Sequence, residues 1–263
     1  LKAWADTTHS TGSQLWAQIS HPGRQCPRLV NTKPLSASDV QLNMIANFGK
    51  PKAASLDDIN DIVQRFATTA KILKKAGFDG VQIHSAHGYL LSQFLSPITN
   101  QRVDEYGGSL ENRARLLLRV IKTVRDAVGP EFPIAIKLNS SDFQKGGFSA
   151  EDCIQVVKWL NDAGLDLLEV SGGTYEQLEF FQQTDDKVRA STKKREAYFL
   201  EYAERIKTVA QMPVMVTGGV RTVEGMERAL KNGQTDIIGL ARPFCLNPNF
   251  PNEMINKTLS TLE

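Results

Sequence analysis

The sequence predicts an α/β protein of the (β/α)8-barrel class, and three observations carry that prediction. Six short apolar segments have the length and composition of buried strands. Segments with helical periodicity alternate with them, and long crossovers of this kind join parallel strands. Few polar residues interrupt the strands, so we expect the sheet to be covered on both faces. The strands are LWAQIS (15–20), GVQIHSA (80–86), PIAIKLN (133–139), LDLLEVSGG (165–173), PVMVTGG (213–219) and DIIGLAR (236–242).

The helices begin at recognisable caps. Ser55 and Ser149 each stand three residues before an aspartate, in the pattern of a capping box, and Ser109 opens a third periodic segment. The first residues, LKAWADTTHSTG, have the pattern of a helix that ends near Gly12. Because residue 1 is leucine rather than methionine and the pattern is that of the second half of a helix, we expect the chain to be part of a longer polypeptide. The other helices are predicted at 56–76, 109–128, 149–163, 198–210 and 223–232.

A doubly wound open sheet is the alternative architecture, and the residues after the strands favour the barrel. Polar or glycine residues follow nearly every strand, which is typical of a barrel whose strand ends surround one site. No GxGxxG motif follows a strand, so a dinucleotide-binding sheet has little support. The segments 21–54 and 172–197 are longer than ordinary connections between strands and helices. We interpret them as excursions, that is, long loops that extend over the mouth of the site.

Composition excludes several classes of function. The chain has 31 lysines and arginines against 29 aspartates and glutamates. These charges are interspersed and form no basic stripe, which argues against a nucleic acid partner. The three cysteines lie far apart, which argues against disulfides and against a metal cluster. No apolar stretch approaches the roughly 18 residues of a membrane span, and no signal peptide is evident. We expect a cytoplasmic protein that binds neither a membrane nor a metal ion. The sequence is also compatible with a homo-oligomer.

Three groups of residues suggest chemistry. His84, His87 and Tyr89 follow a strand and could bind a carbonyl oxygen and deliver a proton, although a structural histidine pair is an equal alternative. Lys137 lies in a buried strand and needs an anionic or strongly polar partner. A phosphate-binding barrel that uses Lys137 as a Schiff-base amine is a further alternative. The turns TGGV (217–220) and GLARP (239–243) are typical of a phosphate pocket, or of tight turns alone.

The chain resembles the old yellow enzyme family of FMN-dependent ene-reductases, and the resemblance runs almost from end to end. It is similar to the subgroup with two histidines in the central motif. The matching segments are WAQISHPGRQ (16–25), PLSASDV (34–40), AGFDGVQIHSAHGYLLSQFLSPITNQRVDEYGGSLENRARLL (76–117), PIAIKLN (133–139), REAYFLE (195–201), PVMVTGG (213–219) and IIGLARPF (237–244).

The resemblance implies a role for each matching residue. Gln18 would bind the pyrimidine edge of the flavin, and Lys137 would place positive charge beside it. His84 and His87 would hold the carbonyl of an α,β-unsaturated substrate, and Tyr89 would protonate its α-carbon after hydride transfer from flavin N5. NADH or NADPH would reduce the flavin. The residues expected to bind the FMN phosphate are Gly218, Gly219, Ala241 and Arg242.

The family pattern places two further strands before the segment with which this sequence opens. We therefore expect 1–263 to form a single flavin-binding TIM-barrel domain that contains strands 3–8 and lacks the first two βα units. Without those units, a non-catalytic barrel fragment unable to retain flavin is the alternative to an FMN-dependent NAD(P)H oxidoreductase.

Overall fold

The structure is a computed structural model, and it describes residues 1–42, 44, 47–174, 200–218, 220, 222–241 and 243–258. In chain order the elements are α1 (Lys2–His9), β1 (Trp16–Ile19), a 3-10 turn (Gly23–Gln25), β2 (Leu35–Ser36), β3 (Lys52–Ala53), α2 (Leu56–Lys75), β4 (Gly80–Ser85), α3 (Leu90–Leu95), α4 (Leu110–Val128), β5 (Ile134–Asn139), α5 (Ala150–Asn161), β6 (Leu167–Ser171), α6 (200–207), β7 (Val214–Thr217), α7 (Val223–Lys231), β8 (Ile237–Gly239), α8 (Pro243–Leu246) and α9 (Phe250–Ile255).

The main sheet has six strands in the order β1-β4-β5-β6-β7-β8, and every pair in it is parallel. The order follows the sequence without reversal, whereas a doubly wound sheet reverses its order at a switch point. The fold is therefore a partial (β/α)8 barrel. All six predicted strands are confirmed, each one to four residues shorter than the apolar segment that predicted it.

The two faces of the sheet differ, because side chains alternate along each strand. One face packs against the helices and forms the core, with Val81, Ile83, Ile136, Leu168 and Val216 among its fully or almost fully buried residues. The other face carries polar side chains, several of them partly exposed. The expectation of a sheet covered on both faces holds for β4 to β7, in which every residue is buried or partly buried, and fails at the edge strands β1 and β8, where Gln18 and Ile237 are exposed.

Local capping signals were reliable. Ser55 and Asp58 form the predicted reciprocal capping box at the start of α2. The Ser109 and Ser149 side chains each accept the backbone N–H three residues on, but the box predicted at Ser149 is only half formed, and the Asp152 carboxylate lies 3.4 Å from Arg113 instead. In the described residues no helix is long and apolar enough to cross a membrane.

The excursion 21–54 contains structure that the sequence pattern did not predict. Its short strands β2 and β3 pair in parallel. Arg102 ties this excursion to the loop before α4, because its Nη1 donates to the carbonyl oxygens of Ala37 and Ala54 at 3.0 and 2.6 Å. Its ion pair with Asp104, at 2.6 Å, fixes the same guanidinium. Arg102 therefore has a structural role.

Candidate active site

A cavity of about 440 Å³ opens at the carboxyl ends of β1, β4 and β5. Five of the residues singled out in the sequence lie together on its wall, although three different strands and the loop after β4 supply them. Ser20 and Pro22 complete the lining. The five are Gln18, His84, His87, Tyr89 and Lys137.

His84, near the end of β4, is a neutral hydrogen-bond donor to this cavity. Its Nδ1 accepts the backbone N–H of Ala86 at 3.2 Å, so the neutral ring carries its proton on Nε2. Burial lowers the pKa of His84 to about 3, and the charges of His87 and Lys137 lower it further in the same direction. No hydrogen bond within the described residues occupies Nε2, and this N–H is available to a ligand oxygen.

His87 is held in an uncommon backbone conformation. Its φ of 59° lies in the left-handed region, and the Asn139 side chain accepts its backbone N–H at 3.1 Å. Its Nε2 lies 2.6 Å from the Ser171 hydroxyl. Burial lowers its pKa to about 4, aided by the charge of Lys137 and opposed by that of Glu169. While Ser171 is bound to Nε2, only Nδ1 of His87 can serve a ligand.

Tyr89 occupies the N-cap position of α3, and its ring packs against that of His84. Its ring centroid lies 4.8 Å from that of His84, and the two histidine ring centroids lie 5.2 Å apart, in edge-to-face arrangements. Gly88 makes the turn before α3 feasible, because its φ is 77° and a Cβ there would lie 2.6 Å from Gln25 Oε1. The phenol and both imidazoles thus surround the same space.

Lys137 has the anionic partner that its buried position required. Its Nζ lies 2.7 Å from Glu169 Oε1, and Glu169 on β6 is buried. An ammonium held in an ion pair has no lone pair, which disfavours the Schiff-base alternative. Sequence reasoning missed Glu169, although Leu168 and Val170 flank it in a buried strand and it shows the same signal as Lys137.

Gln18 and Lys137 are connected through residues that the sequence did not point to. Gln18 Nε2 donates to Gln82 Oε1 at 2.6 Å, and Gln82 Nε2 donates to Glu169 Oε2 at 2.6 Å. With the ion pair to Lys137, these bonds form a continuous row across β1, β4, β6 and β5. No signal in the sequence identifies Gln82, whose role depends on the alignment of neighbouring strands.

The ends of β7 and β8, where we expected the phosphate, are only partly described. Gly218 has a φ of 84° with open space around it, but its N–H donates to the carbonyl of Gly239 at 3.1 Å. Gly218 could therefore allow close approach of an anion but does not offer this N–H. Ala241 is exposed just before α8. The other two expected phosphate residues, Gly219 and Arg242, lie outside the described residues.

A family model described as the NADH:flavin oxidoreductase / NADH oxidase family matches residues 1–260. The chain belongs to this family. Among curated members, an NADH-dependent flavin oxidoreductase, nadA, of Aspergillus parasiticus is 41% identical over 255 residues, which are 95% of this chain and 56% of that protein. An NADH oxidase of Thermoanaerobacter brockii is 34% identical over 251 residues, covering 95% of this chain and 37% of the relative. The chain thus spans little more than half of the first relative.

Solved structures agree with the family and with the barrel. The old yellow enzyme homologue from Zymomonas mobilis superposes with a TM-score of 0.79 at 30% identity, covering 99% of this chain and 73% of that one. A 2-naphthoyl-CoA reductase complex gives a TM-score of 0.86 at 25% identity, covering 97% and 40% of the two chains.

The flavin that this family's description names fits the residues present. The cavity wall offers an amide, an ammonium and an imidazole N–H, which suit the heteroatom edge of a flavin ring. Near the expected phosphate, Thr217 Oγ1 is buried with no hydrogen-bond partner among the described residues. Position 239 on the neighbouring strand must be glycine, because a Cβ there would lie 2.0 Å from the Thr217 hydroxyl oxygen. Gln18 and Lys137 would hold the ring, and the β7–β8 end would hold the phosphate.

Proposed function

We propose that this chain is the FMN-binding catalytic part of an oxidoreductase that reduces the activated C=C bond of α,β-unsaturated carbonyl compounds. The observation that carries the proposal is the grouping of the His84 Nε2–H donor and the Tyr89 phenol, with ring centroids 4.8 Å apart, on the cavity that also holds Gln18 and Lys137. When bound, FMN would supply a hydride.

Each group on the cavity has a distinct part in this reaction. His84 is uncharged at neutral pH, so its N–H can stabilise negative charge that develops on a carbonyl oxygen without losing its proton. A donor on that oxygen withdraws electrons from the conjugated C=C bond. Tyr89, beside it, can donate its phenolic proton to the α-carbon. His87, fixed by Ser171 and Asn139, can orient the oxygen from the other side.

We infer NADH as the electron donor, because the curated relatives are named for it, and keep NADPH as the alternative. The test is anaerobic. The full chain is loaded with FMN and titrated in turn with NADH and NADPH until the flavin absorption bleaches, and cyclohexenone is then added. Bleaching followed by reoxidation supports the proposal. Failure of the chain to retain FMN would instead favour a non-catalytic barrel fragment.

Replacement Tyr89→Phe separates the two halves of the cycle. It should slow reoxidation by cyclohexenone about 100-fold or more, because general acid catalysis contributes about 10²–10⁴ in rate. Reduction by NADH needs no proton from Tyr89 and should keep its rate, which serves as the internal control in a stopped-flow measurement. Equal reoxidation rates in variant and parent would remove Tyr89 from the proton transfer.

A further inference from the structure

A row of hydrogen-bonded side chains crosses four strands beneath the cavity. It runs from Gln18 on β1 to Gln82 on β4, then to Glu169 on β6, and ends at Lys137 on β5, with donor–acceptor distances of 2.6, 2.6 and 2.7 Å. Gln82 reaches past β5 because its register partner there is Ala135, whose methyl group leaves the path open. Two residues that face the cavity are therefore connected through two that do not line it.

The carboxylate fixes the direction of every bond in the row. The two ends of a glutamine amide are usually interchangeable, and the surrounding hydrogen bonds decide which way it points. Glu169, paired with Lys137, can only accept, so Gln82 must turn its NH₂ group towards Glu169 and its oxygen towards Gln18. Gln18 must then donate to Gln82, which leaves the Gln18 oxygen as its free acceptor.

The other end of the row fixes the donors. Lys137 uses one N–H on Glu169 and keeps two for a ligand. The cavity thus presents a fixed acceptor from Gln18 and fixed donors from Lys137. The complementary ligand edge carries an N–H beside a carbonyl oxygen, as the imide of a flavin does.

We propose that Glu169 is a positioning residue that, through Gln82, sets Gln18 to accept from a ring N–H and places Lys137 to donate to the adjoining carbonyl. The inference rests on the proposed function, because the ring in question is that of FMN. It predicts that the chain distinguishes FMN from its N3-methyl analogue, which lacks the N–H.

The variant Gln82→Met tests the Gln18 side of the row alone. It is close in size, removes both hydrogen bonds of residue 82 and leaves the ion pair in place. Gln18 can then turn its NH₂ group to the ligand, so the ratio of the two dissociation constants, measured by quenching of flavin fluorescence, should fall about 10-fold. That change corresponds to about 1.4 kcal/mol, within the range for an unmade hydrogen bond. Gln64→Met, on the exposed side of α2, is the matched control and should keep the parent ratio.

The variant Glu169→Gln tests both sides of the row. Without an acceptor-only anchor the discrimination against the N3-methyl analogue should also fall. In addition, the Lys137 charge loses its counter-charge, which favours the electron-rich reduced flavin, so the reduction potential of the bound flavin should rise. Gln82→Met keeps the charge of the parent and should not raise it. Glu131→Gln, at an exposed turn, is the control.

The outcomes separate the two proposals. If the unsubstituted chain does not bind FMN, the proposed function and this inference both fail. If it binds FMN and both variants keep its discrimination and potential, the proposed function stands and the positioning role of Glu169 is overturned. Circular dichroism melts identify a variant that has lost its fold. If one variant has lost its fold, the other tests the proposal by itself, since each variant alone must lower the discrimination between FMN and its N3-methyl analogue.

Discussion

The candidate site depends, at the scale of single residues, on two imidazoles that stay neutral for the same reason and are oriented by different means. Burial is the main cause of the lowered pKa in both rings. A backbone N–H fixes the tautomer of His84, whereas His87 is held through its own backbone and through Ser171. His84 therefore offers a hydrogen bond of fixed direction, His87 is held in place beside it, and the pair adds no positive charge beside Lys137.

We expect the free energy of unfolding to decrease as the pH is lowered below about 6.5. The folded-state pKa values are about 3 for His84 and about 4 for His87, and in the unfolded chain both return to about 6.5. Between these values the unfolded chain binds more protons, so its free energy falls relative to the folded state as the pH falls. Each ring should cost up to about 1.4 kcal/mol per pH unit.

The measurement is urea unfolding between pH 7 and pH 5. His84→Gln should reduce the slope of unfolding free energy against pH by about one proton. An unchanged slope in this variant would show that His84 titrates normally in the folded protein.

The left-handed backbone of His87 leads to a second prediction. Asparagine tolerates a φ of 59° better than most residues, whereas a β-branched residue does not. His87→Val should therefore lower the unfolding free energy by about 1–3 kcal/mol more than His87→Asn. Denaturant titration of the two variants checks this, and equal losses would mean that the turn relaxes without strain.

Residue identity was partly predictable from the sequence. The sequence and its family resemblance point to five residues that line one cavity, because strand ends of a parallel sheet meet at one edge: Gln18, His84, His87, Tyr89 and Lys137. Glu169 and Gln82 were not identified. Their role arises from contacts across strands that are up to 87 residues apart in sequence, and the register that creates those contacts is not encoded locally.

Secondary-structure elements were predicted best where their signals are local. The helices that begin at Ser55, Ser109 and Ser149 start at the expected caps, because the cap and its partner lie three residues apart. The strands β2 and β3, each of two residues, are too short to have a periodicity. The short helices α8 and α9 were also missed, being four and six residues long.

Loss of the α2 cap should have a measurable cost. Ser55→Ala removes the acceptor for the Asp58 N–H and the hydroxyl that donates to the Asp58 carboxylate, which keeps the Ser55 backbone N–H and Lys52 as partners, so unfolding free energy should fall by about 1 kcal/mol. Ser55→Thr keeps a hydroxyl and should recover most of the loss. Urea titration measures both, and a Thr variant no better than Ala would argue against the capping box.

At the scale of the whole molecule, the six-stranded sheet formed by the described residues is open, and β1 and β8 are its edge strands. An eight-stranded barrel needs two further strands between them. We propose that residues 1–263 form one flavin-binding unit of such a barrel and that two more βα units complete it.

Ligand binding should stabilise the whole molecule by linkage. At a free FMN concentration 100 times the dissociation constant, the stabilisation is about 2.7 kcal/mol, which raises the melting temperature by roughly 5–11 °C for a domain of this size. Riboflavin lacks the phosphate and should give a smaller increase at the same concentration. Equal increases in a thermal-shift assay would mean that the β7–β8 end contributes nothing to binding.

The alignment of the strands has a consequence for how this protein can change over generations. His84 is level with Lys137, and Lys137 with Glu169, while Gln18 is level with Gln82. A single inserted or deleted residue that slipped β5 by one position would turn Lys137 towards the helices and bring Ile136 or Leu138 to the cavity. Length variation should therefore accumulate in the loops at the opposite edge of the sheet, and a lineage that altered a strand's length would lose this chemistry in one step.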